Sequence, residues 1–214
     1  MTGTASLRIG FLPEDPLVSG MVPESLDTSL DKSLDKSLEI SPGTLPDTLP
    51  GTTVERPVER SVESTGAQSV TQTVTQTVAA WQFREWGHLS GSLPERLAAL
   101  RAQGGRVTVP CTLVAWQGET PVGAASLILD DLPTHPQWNP WLASVVVVPR
   151  LRGTGIGSAL CRAAAQAAEA QGLPRLYLFT TDQVGYYARM GWGSLETLRH
   201  RGEAVTVMAL DLNS

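Results

Sequence analysis

Lysine is almost missing from this chain. Of its 214 residues only Lys32 and Lys36 are lysines, and none follows. That excludes the G-K-[ST] core of a nucleotide-binding P-loop downstream and leaves no lysine-rich face for nucleic acid. Cysteine is scarce as well: Cys111 and Cys161 each sit inside an apolar run, which reads as two reduced core thiols and not as a disulfide framework. Three histidines (His88, His135 and His200) share no ligand spacing with a cysteine or carboxylate cluster, so no metal is expected. No apolar run approaches the roughly 20 residues that span a bilayer. The opening stretch, "MTGTASLRIGFLPEDPLVSG", has one arginine and a short apolar patch cut by Pro13, Glu14, Asp15 and Pro16, unlike a signal peptide. The expectation is a cytoplasmic protein without membrane or nucleic-acid partners.

Aromatic residues are absent from most of the first third. Phe11 is the only one before residue 79, whereas all six tryptophans and all three tyrosines follow it. Charge divides at the same place, with net −6 over residues 1–78 and +1 over 79–214. The aromatic-poor part repeats itself: "SLDTSLDKSLDKSLE", then "TLPDTLPGT", "VERPVERSVES" and "VTQTVTQTV". Leucines at 26, 30, 34 and 38 recur every four residues, a spacing that drifts around a 3.6-residue helix and holds no single face. Residues 20–69 therefore read as a low-complexity, disordered insertion, with an interaction tail or short coiled coil as the alternative. In "VTQTVTQTV", Val70, Val74 and Val78 fit either a helical extension or a β-branched strand.

What is present is enough for one well-buried domain, with hydrophobic residues at 42%. Residues 5–11, "ASLRIGF", read as a strand, so 1–19 supply the first strand and 70–214 the main body. "VAAWQFREWGHL" reads as an amphipathic helix. "SLPERLAALRAQGG" is a second helix, with Ser92 and Glu95 in capping-box spacing and Gly104 as a stop. "PCTLVAWQ" and "PVGAASLILD" form a hairpin through "GET". After the loop "DLPTHPQWNP", "WLASVVVV" lacks polar alternation and reads as a strand buried on both faces. A helix ending at Gly172, a strand "LPRLYLFTT", a short helix "QVGYYARMG" and a hairpin turning at Arg201–Gly202 complete an α/β pattern.

The densest signal is "VVVVPRLRGTGIGSAL", residues 145–160. A glycine-rich turn between strand and helix offers backbone amides and a helix dipole to an anion. It is not a dinucleotide fingerprint: Gly153 and Gly155 fit, but the third glycine position is Ser158 and no acid ends the next strand. What fits is R-G-x-G-x-G, from Arg152 to Gly157, as a pyrophosphate cradle to which Arg152 adds a charge-assisted bond.

Over residues 79–212, and at the first strand, the chain resembles the GNAT superfamily of N-acetyltransferases. "VVVPRLRGTGIGSAL" resembles their acetyl-CoA motif, and "LYLFTTDQVGYYARMGW" a later one with a tyrosine four residues before Gly-aromatic. "EWGHL" and "PWLASV" are similar to bacterial members. The resemblance implies a mixed, mostly antiparallel twisted sheet of six or seven strands with about four helices, splayed at two central parallel strands, the insertion following the first strand. It implies acetyl-CoA as co-substrate, without a metal. Main-chain groups of Val146 and Val148, with neighbouring Val147, would pair with the pantetheine arm, while amides of Gly153, Thr154, Gly155, Ile156, Gly157 and Ser158 hold the pyrophosphate. Tyr187 would protonate the departing sulfur, with Tyr186 as packing; Asp182 stands near the pantetheine position, where the family often has another group.

The general base is less defined, because "WLASVVVV" has no carboxylate. Candidates are Glu85, Asp130, Asp131 and His135; the two aspartates would attract a cationic amine and take its proton. Trp138 and Trp141 flank a proline in the presumed acceptor loop and read as a partly exposed aromatic wall. The reading is an enzyme acetylating a primary amine of a small molecule, with a protein amino terminus or lysine, or a non-catalytic acyl-CoA-binding module, as alternatives. A homodimer is left open.

Overall fold

A computed structural model describes residues 6–14, 38–39, 53–55, 64–89 and 91–212. One mixed sheet organises them. Its strands are β1 (Leu7–Phe11), β2 (Leu38–Glu39), β3 (Thr53–Glu55), β4 (Cys111–Gln117), β5 (Thr120–Ile128), β6 (Trp141–Val147), β7 (Arg175–Thr180), β8 (Gly193–His200) and β9 (Glu203–Asp211), in the order β2-β3-β1-β4-β5-β6-β7-β9-β8. Seven are the expected strands; β2 and β3 are short additions, with β3 parallel to β1. The central pair β6–β7 is parallel, and its other neighbours β5 and β9 run antiparallel. The helices are α1 (Ser64–Trp86), α2 (Leu93–Arg101), α3 (Ile156–Glu169) and α4 (Val184–Ala188). No helix of the described residues is long and apolar enough to cross a membrane.

"VTQTVTQTV" is helical, and α1 begins at Ser64, six residues before the boundary expected for the main body. Its buried residues explain the choice: Val74, Thr75, Val78, Ala79 and Gln82 fall on one helical face. Tertiary burial thus outweighs the β preference of valine and threonine. Of the expected disordered insertion, β2, β3 and the start of α1 are ordered elements, and its other residues lie outside the described residues.

The other turns follow their chemistry. Ser92 caps α2 by accepting from the Glu95 amide at 3.4 Å, and Glu95 accepts from the Ser92 amide at 2.6 Å. That helix ends at Arg101, ahead of Gly104. Arg201 and Gly202 both have positive φ, 50° and 85°, the twist a two-residue hairpin between β8 and β9 demands.

Helix α3 lies on one face of the sheet. Its alanines at 159, 163, 164, 167 and 168 are buried and bring the helix close to Leu113, Leu127, Leu142, Leu176 and Leu178. Each such fully buried leucine contributes about 1.5–3 kcal/mol. Two further clusters form elsewhere in the sheet. Val74, Val78 and Leu100 of α1 and α2 pack on Val114, Trp116, Ala124 and Val146. Leu132, from the loop before β6, packs with Trp141 and Val207.

Candidate functional site

The site begins where β6 stops following its neighbours. Toward β5, the register runs Leu127↔Leu142 and Ser126↔Ala143, then Ala124↔Val146 and Gly123↔Val147. Two residues of β6, Ser144 and Val145, therefore stand opposite Ala125: a β-bulge, with Ser144 at φ 54° in the left-handed region. Toward β7, the only paired position among the described residues is Trp141↔Tyr177, with the Tyr177 amide donating to the Pro140 carbonyl at 3.0 Å. Beyond it the two strands diverge, and the sheet opens.

The bulge changes which main-chain groups face this opening. In a strand they alternate between neighbours, so the parallel bridge turns Leu142 toward β7. After the bulge the parity shifts. The Val148 amide donates to the Val122 carbonyl at 2.9 Å, which commits Val148, and by alternation Val146, to β5. Val147 is left facing the gap. This corrects the expectation for Val146 and Val148: one inserted residue moves the exposed backbone to the position between them.

Past Val147 the chain makes a 3-10 turn, Pro149–Leu151, and enters α3 through Gly155, whose φ of 88° suits glycine. Arg152, Gly153, Thr154 and Gly155 are exposed, and the Thr154 hydroxyl donates to the Leu151 carbonyl at 2.7 Å. The first helical bond runs from the Ala159 amide to the Gly155 carbonyl, so the amides of Ile156, Gly157 and Ser158 have no intrahelical acceptor. Among the described residues no side chain caps this end, and no acid occupies the first turn. A 14-residue helix thus presents bare amides and its positive dipole end beside the opening.

Helix α4 closes the other side. The Ser158 hydroxyl donates to Tyr186 Oη at 3.2 Å, and a Cβ at Gly157 would lie 2.8 Å from that oxygen, so only glycine admits this approach. Tyr187 meets the Trp192 and Tyr186 rings edge-on, with centroids 6.1 and 5.1 Å away. Its hydroxyl makes no hydrogen bond to a described residue. Burial pushes the Tyr187 phenol well above its ordinary pKa of 10, with Cys161, Tyr186 and Asp182 adding to the shift. Asp182 is exposed and accepts from the Thr181 hydroxyl at 3.3 Å.

The carboxylates separate. Asp130, at φ 56°, is exposed and belongs to the loop: its amide donates to Asn139 Oδ1 at 2.8 Å, and Asn139 Nδ2 donates to its carboxylate at 3.3 Å. Asp131 is half-buried without a hydrogen bond to a described residue; burial raises its pKa above 3.8 while Arg201 and Arg96 oppose the rise. Arg201 ties the β8–β9 turn to the turn after α1, donating to the Leu89 carbonyl at 2.8 Å. His135 is committed elsewhere, between the Thr134 hydroxyl at 2.9 Å and Glu196 Oε1 at 2.8 Å, and stacked on Trp138 at 4.3 Å.

The tryptophans also separate. Trp138 is half-buried and stacks on Tyr177 with centroids 5.5 Å apart. Trp141 is fully buried beside Leu132 and Val207, which corrects its reading as part of an exposed wall. As the first residue of β6 it anchors the one bridge to β7, so its ring fills the core under the loop.

The model of the acetyltransferase (GNAT) family matches residues 75–192, more than half of the chain. The chain belongs to this family. No curated protein sequence matches it. Among solved structures it is similar to a putative acetyltransferase of Salmonella typhimurium described with its cofactor acetyl-CoA, at 16% identity and a TM-score of 0.53 over 66% of this chain and 90% of that one. A GNAT acetyltransferase of Streptococcus pneumoniae gives 18% identity and a TM-score of 0.52 over 66% and 95%. An aminoglycoside 6'-N-acetyltransferase complexed with coenzyme A gives 15% and 0.51 over 66% and 92%. At these identities the likeness is one of fold.

For this GNAT acyltransferase, two features escaped the sequence. Nothing in "WLASVVVV" marks Ser144 as the bulge, since serine is not a residue that favours positive φ. Nor does spacing join Glu85 to Arg152, 67 residues apart, although Arg152 Nη2 donates to Glu85 Oε1 at 2.6 Å and Arg152 Nε to the Val147 carbonyl at 3.0 Å.

Proposed function

We propose that the chain transfers an acetyl group from acetyl-CoA to a primary amine of a small molecule. The observation that carries this reading is the opening between β6 and β7, with Val147 facing it and the bare amides of α3 at its end. Those features suit the donor: a strand-like amide arm matches the Val147 main chain that no strand hydrogen-bonds, and a pyrophosphate matches the amides of Ile156, Gly157 and Ser158 with the exposed turn Gly153–Gly155. Arg150 and Arg152 bring positive charge to the same turn. Bound there, acetyl-CoA supplies an acyl group already activated as a thioester.

The chain's own residues then handle protons. The Tyr187 phenol, kept protonated by burial, donates from Oη to a departing thiolate. The Asp131 carboxylate, whose raised pKa makes it a better base, accepts the proton of the attacking amine directly or through a water. Asp130, bound to Asn139, serves the loop and carries no proton in this scheme. Arg96 and Arg201 offset part of the negative charge that Asp131 offers an incoming amine.

The test is calorimetry with acetyl-CoA, followed by thiol release against a panel of small amines and amino-terminal peptides. Binding with turnover on small amines is the expected result. Turnover on peptides alone transfers the reading to a protein acetyltransferase, and binding without turnover on any amine leaves an acyl-CoA-binding module.

A further inference from the structure

Glu85, Arg152 and Val147 form a link that the reaction scheme leaves unused. Glu85 is the next-to-last residue of α1, which packs against the sheet through Val74, Val78 and Ala79, a cluster separate from that of α3. Arg152 belongs to the turn that leads into α3. Its guanidinium spans the two, giving Nη2 to Glu85 Oε1 at 2.6 Å and Nε to the Val147 carbonyl at 3.0 Å. Arg84 Nε lies 3.9 Å from the same Glu85 oxygen, so the carboxylate stands between two guanidinium groups.

That carbonyl is the one the bulge turns toward the opening. The Val147 carbonyl has a second lone pair, so the competition lies at the guanidinium: the N–H groups given to Val147 and Glu85 are not available to a pyrophosphate. We infer that the Glu85–Arg152 pair is a latch across the donor site. Acetyl-CoA displaces Arg152 from the Val147 carbonyl and draws it to the pyrophosphate, and this frees the Glu85 carboxylate to receive the amine. Donor binding thereby frees an acidic group beside the turn. Glu85 is a positioning residue here and takes no proton.

This inference rests on the acetyl-CoA site proposed above, and the test separates the two. Acetyl-CoA affinity is measured by calorimetry on the full chain for wild type, Glu85→Gln, Arg152→Gln and the double variant, with thermal melts to verify folding. Releasing Arg152 from Glu85 tightens acetyl-CoA binding about five-fold, the scale of one exposed charge pair. In the Arg152→Gln background the Glu85 substitution changes affinity less than two-fold. An unchanged affinity in Glu85→Gln, or an equal change in both backgrounds, overturns the latch while leaving the donor site standing. A wild-type protein that does not bind acetyl-CoA overturns the site and the latch together. Both substitutions are at exposed or half-exposed side chains, so folding is retained; an unfolded Glu85→Gln is replaced by Glu85→Asp, whose shorter arm also releases Arg152 and gives the same tightening.

Discussion

Replacing Tyr187 by phenylalanine removes one oxygen and leaves the ring where it is. The edge-on contacts with Trp192 and Tyr186 involve ring atoms that phenylalanine also has, and the lost hydroxyl makes no hydrogen bond to a described residue. Stability is therefore expected to change little, with Tm within about 2 °C of wild type. Activity is different. A positioned general acid contributes about 10²–10⁴-fold, and the lower end applies here because burial makes this phenol a weaker donor. A loss of about 100-fold in kcat/KM corresponds to about 2.7 kcal/mol of transition-state stabilisation. The assay follows free thiol with a good amine acceptor, alongside calorimetry of acetyl-CoA. The sign of the pH dependence follows from the raised pKa: the wild-type phenol stays protonated to pH 10 and beyond, so Tyr187 imposes no alkaline fall in rate below pH 10. Turnover within two-fold of wild type refutes the proton-donor role. A Tm drop of several degrees with a parallel loss of acetyl-CoA binding refutes it too, and makes the residue one of packing.

Asp131→Asn is expected to lower kcat/KM about 100-fold and to abolish the acid limb of the pH profile, which in wild type falls as pH drops through a pKa above 3.8. Because the folded pKa lies above the unfolded one, the Asp131 contribution to folding is present at low pH and lost as pH rises through the folded value. The asparagine variant should therefore melt no lower than wild type at pH 7, and a clear destabilisation there with full activity would sink the assignment. Gly155→Ala forces φ near 88° on a residue with a Cβ; urea unfolding should read about 1–2 kcal/mol of destabilisation, and calorimetry a weaker acetyl-CoA, whereas an unchanged pair of values would mean the turn relaxes freely. Trp141→Ala should cost about 3–5 kcal/mol by urea unfolding, and Trp138→Ala distinctly less; equal costs would contradict the difference in their burial.

Sequence resolved what is periodic or chemically local. The capping box at Ser92 and Glu95, the hairpin at Arg201–Gly202 and the glycine turn each declare themselves within four or five residues, and the structure has them there. Choices that depend on partners distant in sequence were not legible. The helical state of "VTQTVTQTV" is decided by a bed of Val114, Ala124 and Val146 that only the folded sheet provides. The neighbouring aspartates looked like a pair, yet Asp130 in the left-handed region turns to Asn139 and leaves Asp131 alone to face Arg96 and Arg201. Trp141 and Trp138 are three residues apart, but one starts a strand and the other lies in the loop before it, which buries the first fully and the second only in part.

The largest consequence comes from the smallest irregularity. Without the bulge at Ser144–Val145, strict alternation from the Trp141–Tyr177 bridge would turn Val146 and Val148 toward β7, and Val147 toward β5. With it, Val147 faces the opening, five positions after Leu142, on the last residue of β6. That gives Arg152 in the following turn a carbonyl no strand uses, and through Arg152 links it to Glu85 on α1. One extra residue thus selects the backbone group that lines the opening and connects that group to α1.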